Sequence, residues 1–333
     1  MPSTKEQLLS FFKEVQGQWI SGELLGEKLQ VSRNAVWKHI RKLKGEGYVI
    51  ESSPRKGYLL RNYPDLLLPV AIREGLSTKI FGQEMIVHEG TMASTNTRAR
   101  ELAAGGAAEG TIVVAECQTG GRGRRGRSWF SPSGCGIYAS MILRPIMSPV
   151  EAPRITLAIS VALAEALREQ TSLTAIIRWP NDIFINEKKV AGILTEITTE
   201  LDGVDYIVAG FGININTPRE ILPADVRDKA TSLFLETGRT FSRLLLLRSC
   251  LVWWERYYAM FARGDFASIM NRWKEFTDTI GRQVTVDAAG RRVAGRVVDV
   301  DQEGVLLVVD DAGTRHRIFS GDVTPAVLVP DNR

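Results

Sequence analysis

Gly120-Gly121-Arg122-Gly123-Arg124-Arg125-Gly126-Arg127-Ser128-Trp129 is the stretch around which this chain is organised. Four glycines and four arginines in ten residues make a poor helix interior, where each glycine costs ~1 kcal/mol relative to alanine. The run does not alternate apolar with polar residues as a half-buried strand would. It reads as a loop whose bare backbone can approach a ligand while guanidinium groups surround it. The strand-like run Thr111–Ala115 holds one end, and Trp129-Phe130 anchors the other. Such a loop suits an anionic substrate.

Working outward, 333 residues suffice for two or three domains with a substantial core. Lys5, Glu6, Lys13 and Glu14 interrupt any apolar run near residue 1, so no secretory signal is expected there. The richest apolar region, 244–254, is broken by Arg248 and is too short to span a bilayer. Cys117, Cys135 and Cys250 form neither a CxxC nor an even framework, which fits a reducing cytoplasm. They read as small core residues, with a catalytic thiol as the alternative. His39, His88 and His316 are isolated, so neither a metal cluster nor a catalytic triad is supported. Residues 1–62 carry 11 basic and 6 acidic side chains, a net +5, whereas the remainder carries 31 and 32, a net −1. A polyanionic partner is therefore expected for the first segment alone.

That segment reads as a winged helix-turn-helix. Residues 5–15 show helical apolar spacing, Ser21 and Ser32 are N-cap candidates, and Val36, Ile40 and Leu43 line one face of the second capped helix. Ser32, Arg33, Asn34, Trp37 and Lys38 present base-reading groups on the other side. Strands over 47–51 and 57–60 flank a turn bearing Arg55 and Lys56, which with Lys42 are expected at phosphates. The alternative is a three-helix packing module with a solvated charged face.

Residues 63–70 contain two prolines and read as a linker. Strands and helices then alternate. Strands are expected at 86–89, 111–116, 137–143, 175–178, 183–185, 190–197 and 206–211, and helices at 94–104, 154–170 and 241–261. Tight turns at 186–188 and 202–203 favour an antiparallel or mixed sheet. Neither GxGxxG after a first strand nor a Walker A loop is present. The tail has short strands at 283–286, 292–300, 304–309 and 314–318, separated by turns such as Ala289-Gly290, and reads as a small barrel-like β domain.

Four motifs stand in order: Ser94-Thr95-Asn96; Gln118 to Arg127; Trp179-Pro180-Asn181-Asp182 followed by Lys189-Val-Ala-Gly-Ile-Leu194; and Gly210-Phe-Gly-Ile-Asn-Ile-Asn216. Together they resemble bacterial biotin–protein ligase. The winged helix makes the chain similar to the bifunctional form, which also represses the biotin operon. The resemblance covers essentially the whole length. Gly120 departs from the alanine usual there and adds flexibility without removing a functional group. Trp37 leaves the operator sequence open.

The resemblance implies an α+β protein. Residues 1–62 would be the winged helix-turn-helix, 71–276 a mixed-sheet catalytic domain of the biotin/lipoate ligase, class II synthetase-like type, and 277–333 an SH3-like β-barrel. It implies two steps: biotin's carboxylate attacks the α-phosphate of ATP, Mg2+ arriving with the nucleotide, and a lysine of the biotin carboxyl carrier protein of acetyl-CoA carboxylase then takes the biotin. It also implies that the adenylate orders the arginine loop, which is mobile when empty, and promotes a homodimer that binds operator DNA.

The residues suit that chemistry. The nucleophile is already ionised, so what is required is positive charge and N–H groups aimed at phosphate oxygens. Arg122, Arg124, Arg127 and the amides of Gly121 and Gly123 can supply them; losing one such donor typically costs ~3 kcal/mol, roughly 10²–10³ in rate. Lys189, at a strand start, can reach a carboxylate and the α-phosphate together, whereas Lys188 should point to the other face. The resemblance selects Lys189 with Arg124 as catalytic. It places Ser94, Thr95, Asn96 and Gln118 around the ureido ring, and Gly192, Gly210, Gly212 and Asn214 among the ligand contacts. Ser94–Asn96 can also cap a helix. Trp129 either covers the ligand or packs in the core, and Asn181-Asp182 is either a turn or an ATP/Mg2+ contact. Three rivals stand beside this reading: a non-catalytic ligand-responsive regulator, lipoate or octanoate transfer on the same scaffold, and an RGG-like nucleic-acid binder.

Overall fold

The structure, a computed structural model, describes residues 4–15, 17–45, 48–62, 65–200, 203–288 and 290–325. Gly47 of the first wing strand, Tyr63 and Pro64 of the expected linker, the turn residues Asp202 and Ala289, and everything beyond 325 lie outside the described residues. The chain divides into two compact units, Met1–Leu66 and Leu67–Arg333.

In the first unit, α1 (Thr4–Glu14), α2 (Gly22–Leu29) and α3 (Arg33–Gly45) precede β1 (Val49–Ser53) and β2 (Gly57–Asn62). Ser21 Oγ accepts the Leu24 N–H at 3.1 Å and Ser32 Oγ accepts the Ala35 N–H at 3.2 Å, so both expected caps form. Between the helices Gln30 takes a left-handed conformation, φ 54°, closing the turn. Leu8, Phe12, Leu25, Val36, Ile40, Leu43 and Leu59 are buried as its core. β1 and β2 are antiparallel, and Ile20 bridges to Tyr58 beside them. Gly57 is required here: its φ is +91°, and a Cβ would overlap the Ile20 carbonyl and stand 2.7 Å from Ser21 Cα.

The second unit contains two sheets. The larger is built from β3 (Ile86–Glu89), β4 (Ile112–Ala115), β5 (Gly136–Leu143), β6 (Ile176–Arg178), β7 (Asp182–Ile185), β8 (Lys188–Glu200) and β9 (Gly203–Asn214). Its order is β3-β4-β5-β9-β8-β7-β6, with β3 and β4 parallel and all other neighbours antiparallel, which is the expected mixed sheet. The smaller contains β10 (Gln283–Ala288), β11 (Arg291–Val300), β12 (Leu306–Val309), β13 (Arg315–Ile318) and β14 (Asp322–Pro325), all antiparallel in the order β13-β12-β11-β10-β14. Its edge strands are not paired to one another, so among the described residues the barrel-like domain is an open five-stranded sheet.

Its helices are α4 (Pro69–Arg73), α5 (Thr95–Ala104), α6 (Ala152–Thr171), α7 (Leu233–Thr237), α8 (Arg243–Ala262) and α9 (Phe266–Phe276). They cover both faces of the large sheet, which explains the unbroken apolar run in β4. Val113 and Ala115 pack towards α5 with Ile142, Tyr206 and Val208. Ile112 and Val114 point the other way, into a core shared with Ile159, Leu163, Leu247, Leu251 and Trp254 of α6 and α8. The same period-two alternation puts Gly210 and Gly212 of β9 on the α5 side and Phe211 and Ile213 on the α6–α8 side.

The expected linker is not uniform. Leu67 is fully buried, with its N–H donated to Glu116 Oε1 at 2.8 Å, and α4 begins at Pro69, where a missing N–H costs nothing. Among the described residues, no helix is long and apolar enough to cross a membrane.

Candidate active site

The floor of the site is glycine. Gly192 on β8 pairs with Gly212 on β9, and Gly210 on β9 pairs with Ser140 on β5. The missing side chains leave room for two neighbours to lie on the backbone. A Cβ at Gly210 would overlap Asn96 Oδ1 and stand 2.7 Å from Asn96 Cγ. One at Gly212 would overlap the Trp129 indole nitrogen, and one at Gly192 would stand 3.0 Å from Trp129 Cζ3.

The first turn of α5 forms one wall. Ser94 occupies the N-cap position, buried and without a capping hydrogen bond from its side chain. Thr95 donates from its N–H (2.8 Å) and hydroxyl (3.2 Å) to Gln118 Oε1, and Gln118 Nε2 donates to Ser131 Oγ at 2.9 Å. Asn96 Nδ2 donates to the Leu194 carbonyl at 3.1 Å and to Glu196 Oε2 at 2.8 Å. Ser140 Oγ lies 2.8 Å from Thr95 Oγ1 and 2.6 Å from Asn96 Oδ1. These side chains are thus oriented by one another before any ligand contact. Motif reading found Thr95, Asn96 and Gln118 but missed Ser140, Ser131 and Glu196. Ser140 carried a signal: a single serine in a strand whose other residues are apolar, glycine or tyrosine.

The arginine loop crosses this face on a defined course. Trp129 N–H donates to Gly121 O at 2.9 Å, Gly123 N–H to Arg127 O at 2.7 Å, and a short 3-10 turn spans Arg124–Gly126. The Gly123 amide is therefore engaged within the loop. Arg122 Nη1 pairs with Glu196 Oε1 at 2.9 Å, and Arg124 Nη1 donates to Asn181 Oδ1 at 3.0 Å. Burial holds the Arg124 guanidinium below its ordinary pKa. Arg125 and Arg127 face Asp322 instead, away from the glycine floor.

Lys189 opens the opposite wall. Its Nζ is 2.7 Å from Asp182 Oδ1 and 5.3 Å from the centre of the Trp129 ring, and it would stand 3.2 Å from a Cβ at Gly192. A bulge in the β7–β8 ladder and hydrogen bonds to the 218–232 segment fix the strand start: the Lys189 N–H meets Lys229 O, and the Thr231 N–H meets Lys189 O, each at 2.9 Å. Trp129 is half-buried, and its buried Nε1 has no hydrogen-bond partner. Asn181 is committed to the fold on both sides, accepting from Arg124 and donating to the Ile193 carbonyl at 2.7 Å. Asn214 is likewise buried, donating to the Thr231 carbonyl at 3.0 Å. On the far side of β8, Arg124, Trp179, Asn181, Thr195 and Phe319 border a cavity of about 170 Å³. Among the described residues, no group of three or more His, Cys, Asp or Glu is placed to hold a metal ion.

The site therefore gathers one guanidinium, one ammonium and a set of pre-oriented amide and hydroxyl groups over bare backbone, with the Arg124 guanidinium at its border on Asn181. It can hold an anionic centre beside a polar ring, and it offers charge neutralisation without a general base.

The first unit presents a separate candidate surface. Arg33, Asn34, Trp37, Lys38, Arg41 and Lys42 are exposed on α3, behind the exposed cap Ser32 and opposite buried Val36, Ile40 and Leu43. Trp37 is 49% exposed and carries the Arg41 guanidinium 5.4 Å from its ring centre. Arg55 and Lys56 are exposed in the β1–β2 turn, with Lys56 Nζ 5.8 Å from the Trp19 ring.

Residues 90–214 match the biotin/lipoate A/B protein ligase family, 4–59 an HTH domain, and 279–324 the biotin protein ligase C-terminal domain. The chain is 38% identical to the bifunctional ligase/repressor BirA of Bacillus subtilis, over 96% of this chain and 98% of that one. It is 32% identical to its namesake in Escherichia coli, over 89% of each. The biotin protein ligase of Aquifex aeolicus, solved in complex with biotin and ATP, superposes with a TM-score of 0.63 at 28% identity, over 72% of this chain and 98% of that one.

Proposed function

The chain belongs to the family of bifunctional biotin ligase–repressors, and from that premise we propose that its glycine-floored site joins biotin to AMP and passes it to a carrier lysine. In the first step a biotin carboxylate oxygen attacks the α-phosphorus of ATP and pyrophosphate leaves. In the second the acceptor amine attacks the acyl carbon, AMP leaves and a proton is released. The observation that carries this reading is the convergence of Lys189 and Arg122 on a face cleared by Gly192, Gly210 and Gly212, with Arg124 held on Asn181 at its border.

Both reactants of the first step are anionic, so cationic side chains lower its barrier by cancelling their repulsion. Lys189 bridges the carboxylate and the α-phosphate, giving up Asp182. Arg122 and Arg124 exchange Glu196 and Asn181 for phosphate oxygens. Thr95, Asn96 and Gln118 read the ureido ring, with Ser94 at the same helix start. Trp129 closes over the acyl chain. Mg2+ would come with the nucleotide and add charge neutralisation at its phosphates, needing few protein oxygens; Asp182 is the carboxylate that would meet it. The acceptor is the biotin carboxyl carrier protein of acetyl-CoA carboxylase, and the setting is the cytoplasm.

The first unit binds operator DNA, α3 reading base edges and the wing meeting phosphates. The adenylate drives a homodimer that matches a two-fold operator. ATP–pyrophosphate exchange that depends on biotin, with mass gain on a carrier domain, tests the ligase. No gain on the carrier would instead favour a ligand-responsive regulator, and gain with lipoate in place of biotin would favour lipoyl transfer. Sedimentation with and without the adenylate tests the dimer.

A further inference from the structure

The arginine loop has two sides that do different things. Arg122 and Arg124 lie against the site, whereas Arg125 and Arg127 reach the small sheet. Arg125 Nη1 is 3.2 Å from Asp322 Oδ2 and its Nη2 is 3.4 Å from Asp287 Oδ1, while Arg127 also pairs with Asp322. Arg125 is the loop's one non-glycine with positive φ, 54°, at the apex of the 3-10 turn.

The two carboxylates are not placed at random. Asp287 on β10 and Asp322 on β14 stand directly opposite each other in the antiparallel register. Like charges in that relation destabilise a sheet, and a guanidinium spanning them removes the penalty. On its other side Asp287 stands opposite Arg292 on β11. Gly321 lets the chain before β14 lie close on β10, since a Cβ there would stand 2.7 Å from Val286 Cγ1 and 2.9 Å from Asp287 O.

We propose that Asp287 and Asp322 form a clamp that positions the arginine loop: the small sheet holds its outer arginines and so aims Arg122 and Arg124 at the site. The two aspartates are positioning residues, touching neither substrate nor reacting atoms. What the loop closes on rests on the ligase reading; the clamp itself does not.

Trypsin reports directly on the clamp, because the loop carries four arginines and cleavage follows the population of the open loop. In the ligand-free full chain at low salt, Asp287→Asn/Asp322→Asn should be cut in 120–128 roughly tenfold faster than wild type, the combined effect of several individually weak exposed pairs. Cleavage elsewhere and the melting temperature should be unchanged. Asp322→Glu should restore slow cleavage. Salt at 1 M, where the screening length is about 3 Å, should speed the wild type more than the double variant and so narrow the gap between them. Wild-type cleavage of a normally melting double variant, or a wild-type rate indifferent to salt, would overturn the clamp. Failure of biotin with ATP to protect the wild-type loop would count against the ligase reading and leave the clamp standing.

Discussion

Asn96 Oδ1 occupies the space that a Cβ on Gly210 would need, and Ser140 Oγ lies 2.6 Å from that same oxygen. The amide is thus fixed by an absent side chain below it and a hydroxyl beside it. Gly210→Ala should push Asn96 off the sheet, costing ~1–3 kcal/mol of stability by overpacking. Biotin affinity should fall ~10–100-fold, since 1.4 kcal/mol is a factor of ten. Ser140→Ala removes only the hydroxyl and should have a smaller effect on binding. Calorimetric titration with biotin beside a thermal melt separates the two; unaltered affinity in Gly210→Ala would show that Asn96 does not read the ligand.

Lys189 and Lys188 are neighbours in sequence with opposite expected consequences. Lys189 holds Asp182 at 2.7 Å beside the indole of Trp129, whereas Lys188 pairs at the strand edge with Ile185. Lys189→Ala should reduce biotin-dependent ATP–pyrophosphate exchange by ~10²-fold or more, the size of loss seen when one preorganised charge donor is removed. Lys188→Ala should stay within about twofold. Equal losses in the two variants would mean that the strand start, not the ammonium, matters.

These pairs mark how far the sequence could be read. Elements with a strong pattern were legible: β4 is apolar throughout, α6 carries a long apolar side, and α2 and α3 carry their serine caps. The β8–β9 hairpin runs beyond the expected strands because its outer ends, such as Thr198–Glu200, are polar and largely exposed. α9 went unassigned although Phe266, Ile269, Met270, Trp273 and Phe276 fall on one face behind an Asp265 cap. α4 was hidden by the prolines that suggested a linker, and β14 by its length of four residues. In the site, motif order picked out the residues on the glycine floor. Glu196 and Asp322 were invisible because each acts across 74 to 197 residues of chain. Arg127 sits in the motif yet faces Asp322, a direction that spacing alone does not encode.

The exposed face of α3 should read sequence, and the wing should not. Asn34→Ala should lower discrimination at one operator base pair by ~1–3 kcal/mol. Removing Arg55 and Lys56 together should weaken binding evenly across sequences and reduce the slope of log affinity against log salt by about 2. Fluorescence anisotropy at several salt concentrations checks both. If the wing variant lost sequence preference while Asn34→Ala kept it, the assigned roles of helix and wing would be reversed.

Glu116 ties the beginning of the second unit to its interior. Its Oε1 accepts from the Leu67 N–H at 2.8 Å and lies 2.9 Å from His88 Nε2, while its Oε2 lies 2.7 Å from Arg243, which is 1% exposed. Burial alone would raise the carboxyl pKa, but the His88 hydrogen bond, the Arg243 charge and the Leu67 amide outweigh it and hold the group below its ordinary value of 4.5. A carboxylate whose folded pKa is depressed stabilises fully above its unfolded value, and that contribution fades as the pH falls through the folded one. Glu116→Gln should therefore lose ~3–5 kcal/mol at pH 7, chiefly because Arg243 is left charged and buried without its carboxylate. The gap to wild type should narrow below pH 4.5 as the wild-type carboxylate takes up its proton. Adding Arg243→Met should recover much of the loss, since an apolar side chain of similar length removes the stranded charge. Denaturant melts from pH 3 to 8 test the account. Parallel stability curves for wild type and Glu116→Gln would mean that size and shape at residue 116, and not its charge, hold Leu67 in place.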